Sequence, residues 1–161
     1  MGVSGSGKSS VGRAISETLN WTFIEGDDLH PPANRTKMAS GQPLQDDDRW
    51  PWLDAIAATA QQVTQSGGAA IVACSALKRS YRDRLRRAGC NVKFIHLSGD
   101  HDTILKRMQA RHDHFMPPGL LASQLTTLQP PSADENALSF DIRAPISEIS
   151  TAAIEALNQP D

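Results

Sequence analysis

Eight residues near the start of the chain, Gly2-Val3-Ser4-Gly5-Ser6-Gly7-Lys8-Ser9, fit the pattern G-x-x-x-x-G-K-[ST] at every fixed position. The spacing has a physical reason. Glycines take positive φ without a Cβ clash and let the backbone approach phosphate oxygens closely. Successive N–H groups then form an anion nest, backed by the positive end of the helix that follows. In such a loop Lys8 meets the β- and γ-phosphates of a nucleoside triphosphate, and the Ser9 hydroxyl ligates Mg²⁺. The expected nucleotide cradle is therefore Gly2, Val3, Ser4, Gly5, Ser6, Gly7, Lys8, Ser9 and Ser10.

Larger P-loop ATPases hold the metal through an Asp at the end of an apolar strand. Here the apolar run Ala69–Ala73 ends in Cys74-Ser75, with no acid. The nearest acids at a strand end are Glu25, Asp27 and Asp28, after Phe23-Ile24. That edge is where ligands collect in open parallel sheets. A small kinase uses such acids in two roles, one carboxylate near the metal and another near the acceptor hydroxyl. Arg107 and Arg111 are four apart and share a helix face. A closing segment could deliver them to the charge on a transferring phosphoryl group. His112 and His114 beside them read as a polar lid tip rather than a metal site. Most of the remaining cations, Arg35, Lys37, Lys78, Arg79, Arg82 and Arg84, read as surface patches. Arg49 stands out, because Asp46-Asp47-Asp48-Arg49 lies in a turn-like stretch just before Trp50-Pro51-Trp52 and not on a solvated helix face.

The elements that must position these groups alternate in period. Helical spacing is found over Ser9–Asn20, Trp52–Gln65, Arg79–Ala88, a segment from Asp100 or Asp102 to about Arg111, a segment after Pro118, and Pro145–Leu157. Strand-like runs lie at Trp21–Ile24, Ala69–Ala73, Val92–Leu97 and Leu138–Ile142. Pro31 and Pro32 break the chain ahead of a short helix at Ala33–Ala39, and Ser40–Asp48 reads as turn. Strand–helix alternation implies an α/β fold with three layers, a parallel sheet carrying helices on both faces. The length of 161 residues suits one domain, with a helical lid over about 107–130.

Composition narrows the classes. Hydrophobic residues at 39% and charged residues at 21% describe a foldable globular chain. Sixteen Lys plus Arg against eighteen Asp plus Glu leave a net charge of −2, which speaks against nucleic acid as the main partner. The longest apolar run, Ala69 to Cys74, is far short of the roughly 20 residues of a membrane span. The first ten residues have no apolar core of a signal peptide. The two cysteines, Cys74 and Cys90, build neither a disulfide framework nor a four-ligand zinc site. The expectation is a cytoplasmic enzyme or binding domain with no membrane partner.

Beyond the phosphate loop, the chain resembles the gluconate kinase (gluconokinase) family over roughly residues 1 to 145. The stretches that carry the resemblance are the loop itself, Gly26–Pro31, Asn34 with Lys37-Met38, Gly41–Leu44, Asp46–Arg49 with Pro51–Leu53, Cys74–Lys78 with Tyr81–Asp83, Asp113–Met116, Ser123-Gln124 and Ala133–Glu135. The resemblance implies transfer of a phosphoryl group from ATP to the 6-hydroxyl of D-gluconate, a P-loop kinase fold and a homodimer. It implies acid roles for Glu25, ordering the metal's waters, and for Asp27, holding the acceptor hydroxyl. The chemistry of the substrate agrees. A carboxylate needs a cation such as Arg49, Lys78 or Arg82, and several hydroxyls need partners such as Asp27, His30 and Ser75. Asp27 would orient or deprotonate the attacking hydroxyl. Other readings in view are another small-metabolite kinase, such as a shikimate kinase, and a nucleotide-binding regulatory module without catalysis. A P-loop follows a central strand, and only Met1 precedes this one. The sheet is therefore expected to lack its first strand, leaving the chain poorly stable and weakly active.

Overall fold

The computed structural model describes residues 1–87, 89, 91–109 and 119–159, the side chains of 119 and 120 excepted. Strand β1 (Thr22–Glu25) pairs in parallel with β2 (Ala70–Ala73), and β3 (Phe94–Ser98) pairs in parallel with β4 (Ala137–Asp141). Helix α1 (Lys8–Leu19) follows the glycine-rich loop. Then come α2 (Pro32–Ala39), α3 (Asp46–Gln65), α4 (Arg79–Arg86), α5 (His101–Gln109), α6 (Gly119–Thr127) and α7 (Ile146–Leu157). No helix among the described residues is long and apolar enough to cross a membrane.

The helices divide between the two faces. On one, Val11 and Ile15 of α1 pack with Leu97, Ile104, Met108, Leu121, Ile149 and Ala153. On the other, Trp52, Leu53 and Ile56 of α3 pack with Tyr81 and Leu85 of α4 and with Phe94. The three-layer arrangement expected from the alternation is the one observed. The acid run Asp46–Asp48 differs from expectation. It forms the first turn of α3 and not a loop, and Pro51 lies inside the helix. Three carboxylates at a helix N-terminus sit favourably in the dipole, and the Asp48 Oδ2 accepts the Gln45 N–H at 2.7 Å. At α5 the choice between Asp100 and Asp102 is settled for Asp100, whose Oδ1 accepts the Thr103 N–H at 2.8 Å.

The two strand pairs are not joined into one ladder. Among the described residues, the first two bridge them. The Met1 amino group donates to the Ile95 carbonyl, Leu97 N–H donates to Met1 O at 2.9 Å, and Gly2 N–H donates to Ser75 O at 3.1 Å. Beyond Met1 the facing edges of β2 and β3 leave a slot of about 380 Å³, lined by Ile71, Val72, Phe94 and Ile95 with Val11 and Ile56. Burial in this apolar setting, with the Lys8 charge nearby, pushes the Met1 amino group down to about 5.

Candidate active site

The phosphate loop is built as its composition requires. Gly7, at φ 94°, turns the chain into α1, and the Val11 N–H donates back to Gly7 O at 3.0 Å. Gly5 lies at φ 80°, and a Cβ there would come within 2.6 Å of the Met108 side chain. A side chain at that position would push α5 off the loop. Lys8 Nζ donates to Val3 O at 3.0 Å, folding its ammonium over the loop. The Ser6 hydroxyl is buried with no hydrogen-bond partner among the described residues. An orphaned hydroxyl inside a ring of glycines suits an anion in the loop. Arg107 reaches the same place from α5, its Nη1 standing 3.9 Å from where a Gly7 Cβ would be, and its other amino group donates to Ile142 O.

A second cavity of about 380 Å³ opens beside the loop. Ser4 and Lys8 form one wall, and Asp27 and His30 another. Arg49 and Ser75 complete the set of expected residues that the fold brings together. Asp27 lies on the 3-10 turn Gly26–Leu29 directly after β1, with its side chain 70% exposed. Trp52 holds this turn. Its indole N–H donates to Gly26 O at 2.7 Å, and its ring stacks on His30 at 4.1 Å between centroids. Gly26 has no room for a side chain, since a Cβ would lie 2.5 Å from Ala73 O.

His30 is held in one protonation state and one tautomer. Burial, opposed by the nearby Asp27 carboxylate, lowers its pKa to about 4, so the ring is neutral at pH 7. The Asn34 side-chain amide donates to Asp48 O at 2.7 Å and sits 3.3 Å from His30 Nδ1. An amide nitrogen only donates, so Nδ1 accepts and Nε2 carries the hydrogen. That N–H stands 4.0 Å from Asp27 Oδ1 and is available to an oxygen in the cavity.

Arg49 owes its place to its acidic neighbours. Asp48 pairs with Lys37 at 2.6 Å. Asp46 takes Lys78 at 2.6 Å and the Tyr81 hydroxyl at 2.5 Å. With both acids turned outward to these partners, Arg49 lines the cavity and donates to Leu44 O at 3.3 Å. Its Nε–H is buried and has no acceptor among the described residues. A buried guanidinium N–H without an acceptor is costly, and a ligand carboxylate would supply one.

Two cations expected at the substrate are placed elsewhere. Arg82 is fully buried, paired with Glu135 through Nε and Nη2 and donating to the carbonyls of Ala76, Leu77 and Gln129. It holds the structure and does not reach the cavity. Lys78 is committed to Asp46 and is not among the residues lining the cavity. Ser9 opens α1 as the motif requires. Glu25 ends β1 on the same side as Phe23, which packs against Gly12 of α1. Arg111 lies outside the described residues. The structure adds Asp28, Arg35, Gln42, Ser123 and Gln124 to the cavity wall. Of these, Ser123-Gln124 was visible as a motif, whereas Arg35 read only as surface charge.

The chain matches the AAA domain family over residues 1–131. It is 45% identical over 160 residues to the thermoresistant gluconokinase of Escherichia coli strain K12, covering 99% of this chain and 91% of that one. A sugar kinase from a Janibacter species superposes with a TM-score of 0.94 at 42% identity, over 98% of this chain and 91% of the other. A gluconokinase from Sinorhizobium meliloti superposes at 0.85 with 48% identity, over 98% and 88%. With the phosphate loop, the Asp27 turn and Arg49 gathered around one cavity, and with likeness of this extent, the chain belongs to the gluconokinase family of P-loop kinases.

Proposed function

We infer that this protein transfers the γ-phosphoryl group of ATP to the 6-hydroxyl of D-gluconate, giving 6-phospho-D-gluconate and ADP. The observation that carries the reading is the cavity between Lys8 and Arg49. It joins a phosphate-binding loop to a buried guanidinium N–H without an acceptor, as an acidic polyol requires. The family's gluconokinases, 45% identical in the example above, support the same substrate.

The arrangement supports the following roles. The loop from Gly2 to Ser10 holds the phosphates, Lys8 supplies the point charge, and Arg107 steadies the nucleotide side. Ser9 and Glu25 are the residues that would hold Mg²⁺ in this reading. An ion of this kind is held largely by phosphate oxygens and water. When bound, the ion offsets charge on the β- and γ-phosphates. Asp27 takes the proton of the attacking hydroxyl, His30 donates Nε2–H to a neighbouring hydroxyl, and Arg49 takes the carboxylate. Arg111, on the expected lid, would add charge at the transferring group. A homodimer and a cytoplasmic location go with this reading.

A coupled ADP-release assay over a panel of sugar acids and shikimate tests it. Gluconate should stand well above the others, and a flat panel would remove the assignment. Arg49→Ala should raise the gluconate KM by about 10- to 100-fold, the worth of a hydrogen bond to a charged group. It should lower kcat far less, because a carboxylate remote from the reacting hydroxyl contributes mostly uniform binding. A neutral polyol analogue should be nearly indifferent. An equal penalty on that analogue would place Arg49 on the phosphates instead.

A further inference from the structure

One contact in the cavity belongs to none of the roles above. The Ser4 N–H, in the phosphate loop, donates to the side-chain oxygen of Gln124 at 2.6 Å. Ser4 is 7% exposed, and both residues line the cavity with Lys8 and Asp27. The contact spans 120 residues and joins α6 to the loop. Helix α6 is well placed to aim this side chain. Leu121 is fully buried in the core with Val3 and Met108. Just beyond the helix end, Gln129 N–H donates to Leu77 O at 2.9 Å, and Gln129 O accepts from Arg82. Gln124 is thus presented from a helix anchored on both sides, which favours a short and well-formed hydrogen bond.

The identity of the bonded group matters. Ser4 belongs to the expected phosphate cradle, but Gln124 takes its N–H, and Ser4 lines the cavity with Asp27 and Arg49, where the acceptor must stand. A buried N–H with no partner is costly and takes up whatever acceptor can reach it. In a polar cavity of this size that acceptor is water. A water held by Ser4 N–H would lie beside Lys8 and Asp27. From there it could attack the γ-phosphorus in place of the sugar hydroxyl. The bond to the β–γ bridging oxygen would break as before, but the products would be ADP, inorganic phosphate and a proton.

We propose that Gln124 is a positioning residue for the transfer step: by occupying the Ser4 N–H, its carboxamide oxygen denies that donor to water and reserves the attacking position for the acceptor hydroxyl. The inference rests on the kinase reading above.

The test is the partition of ATP between two fates, with phosphorylated sugar acid and free phosphate measured in the same reaction at saturating gluconate. Gln124→Met keeps the length of the side chain and removes the oxygen. The ratio of free phosphate to sugar phosphate should rise about tenfold, the scale of one hydrogen bond lost at the attacking position. Gln124→Glu keeps an oxygen for Ser4. It should turn over more slowly, with a charge set against the phosphates, but with the wild-type ratio. Because unfolded protein contributes to neither product, the ratio does not depend on how much of a preparation is folded. A wild-type ratio in Gln124→Met overturns the proposal, as does a Gln124→Glu variant that leaks as much as Gln124→Met. A wild-type protein without gluconate-dependent ADP release overturns the kinase reading and this inference with it. An active wild type with an unaltered Gln124→Met ratio overturns this inference alone.

Discussion

Asp27→Asn is expected to lower kcat by about 10²–10⁴-fold, the usual contribution of a positioned general base. Affinity for the nucleotide should survive, since Asp27 stands on the turn after β1 and not in the phosphate loop. The amide has nearly the shape of the carboxylate and still offers one oxygen. What it loses is the ability to take a proton. The adjacent imidazole cannot take over. His30 is the nearest ring, but its Nδ1 faces the Asn34 amide and its Nε2 carries the hydrogen. Its pKa near 4 leaves it neutral and weakly basic at pH 7. The rate profile above pH 5 should therefore be free of His30 in both the wild type and the variant. Titration calorimetry with a non-hydrolysable nucleotide and steady-state turnover separate the two effects. If affinity and turnover fall together, Asp27 belongs to the metal or to the structure of the turn and is not the base.

How far the sequence reached depends on the range of each interaction. The phosphate loop was legible because its parts are contiguous and its physics is local: glycine conformations, one ammonium and one helix start. Asp27 was legible as an acid at a strand end; Arg49 was singled out as part of a turn, whereas it stands on helix α3 and still lines the cavity. Arg82 misled because its partner Glu135 lies 53 residues downstream. On α4, among Arg79, Arg84 and Arg86, nothing local marks one arginine as the buried one. Lys78 misled for the same reason, its partner Asp46 being 32 residues upstream. Pro51 pointed to a helix starting at Trp52. The capping by Gln45 and the acid run outweighed the one hydrogen bond that a proline forfeits.

Removing the Arg82 side chain is expected to be among the most damaging single changes away from the cavity. Arg82→Met takes from the buried Glu135 carboxylate its two-point partner and leaves it Arg86 at 3.6 Å and Ser132, a loss of up to about 3–5 kcal/mol against a total stability of roughly 5–15 kcal/mol. Melting should fall by about 10 °C or more at the 2–4 °C per kcal/mol of a chain this size. The usual remedy for a broken buried pair is to remove both charges, which is often neutral or better. Here it should fall short. The Arg82 Nη1 also serves the carbonyls of Ala76, Leu77 and Gln129, at 3.1, 3.2 and 3.0 Å. A double variant, Arg82→Met with Glu135→Leu, frees no charge but still takes the Arg82 donor from the carbonyls of Ala76 and Gln129, at about 1–3 kcal/mol for each that water cannot reach, whereas Leu77 O keeps the Gln129 N–H. It should recover part of the loss and no more. Acid adds an independent check. The Arg82 hydrogen bonds hold the Glu135 carboxyl at about 2, below the usual 4.5. The pair's stabilisation is therefore complete above about pH 4.5 and lost as the pH falls towards 2. That acid-sensitive fraction should vanish in the double variant while a melting deficit at pH 7 persists. Full recovery at pH 7 would mean that the Ala76 and Gln129 carbonyls find other donors, and that Arg82 acts on the fold through Glu135 alone.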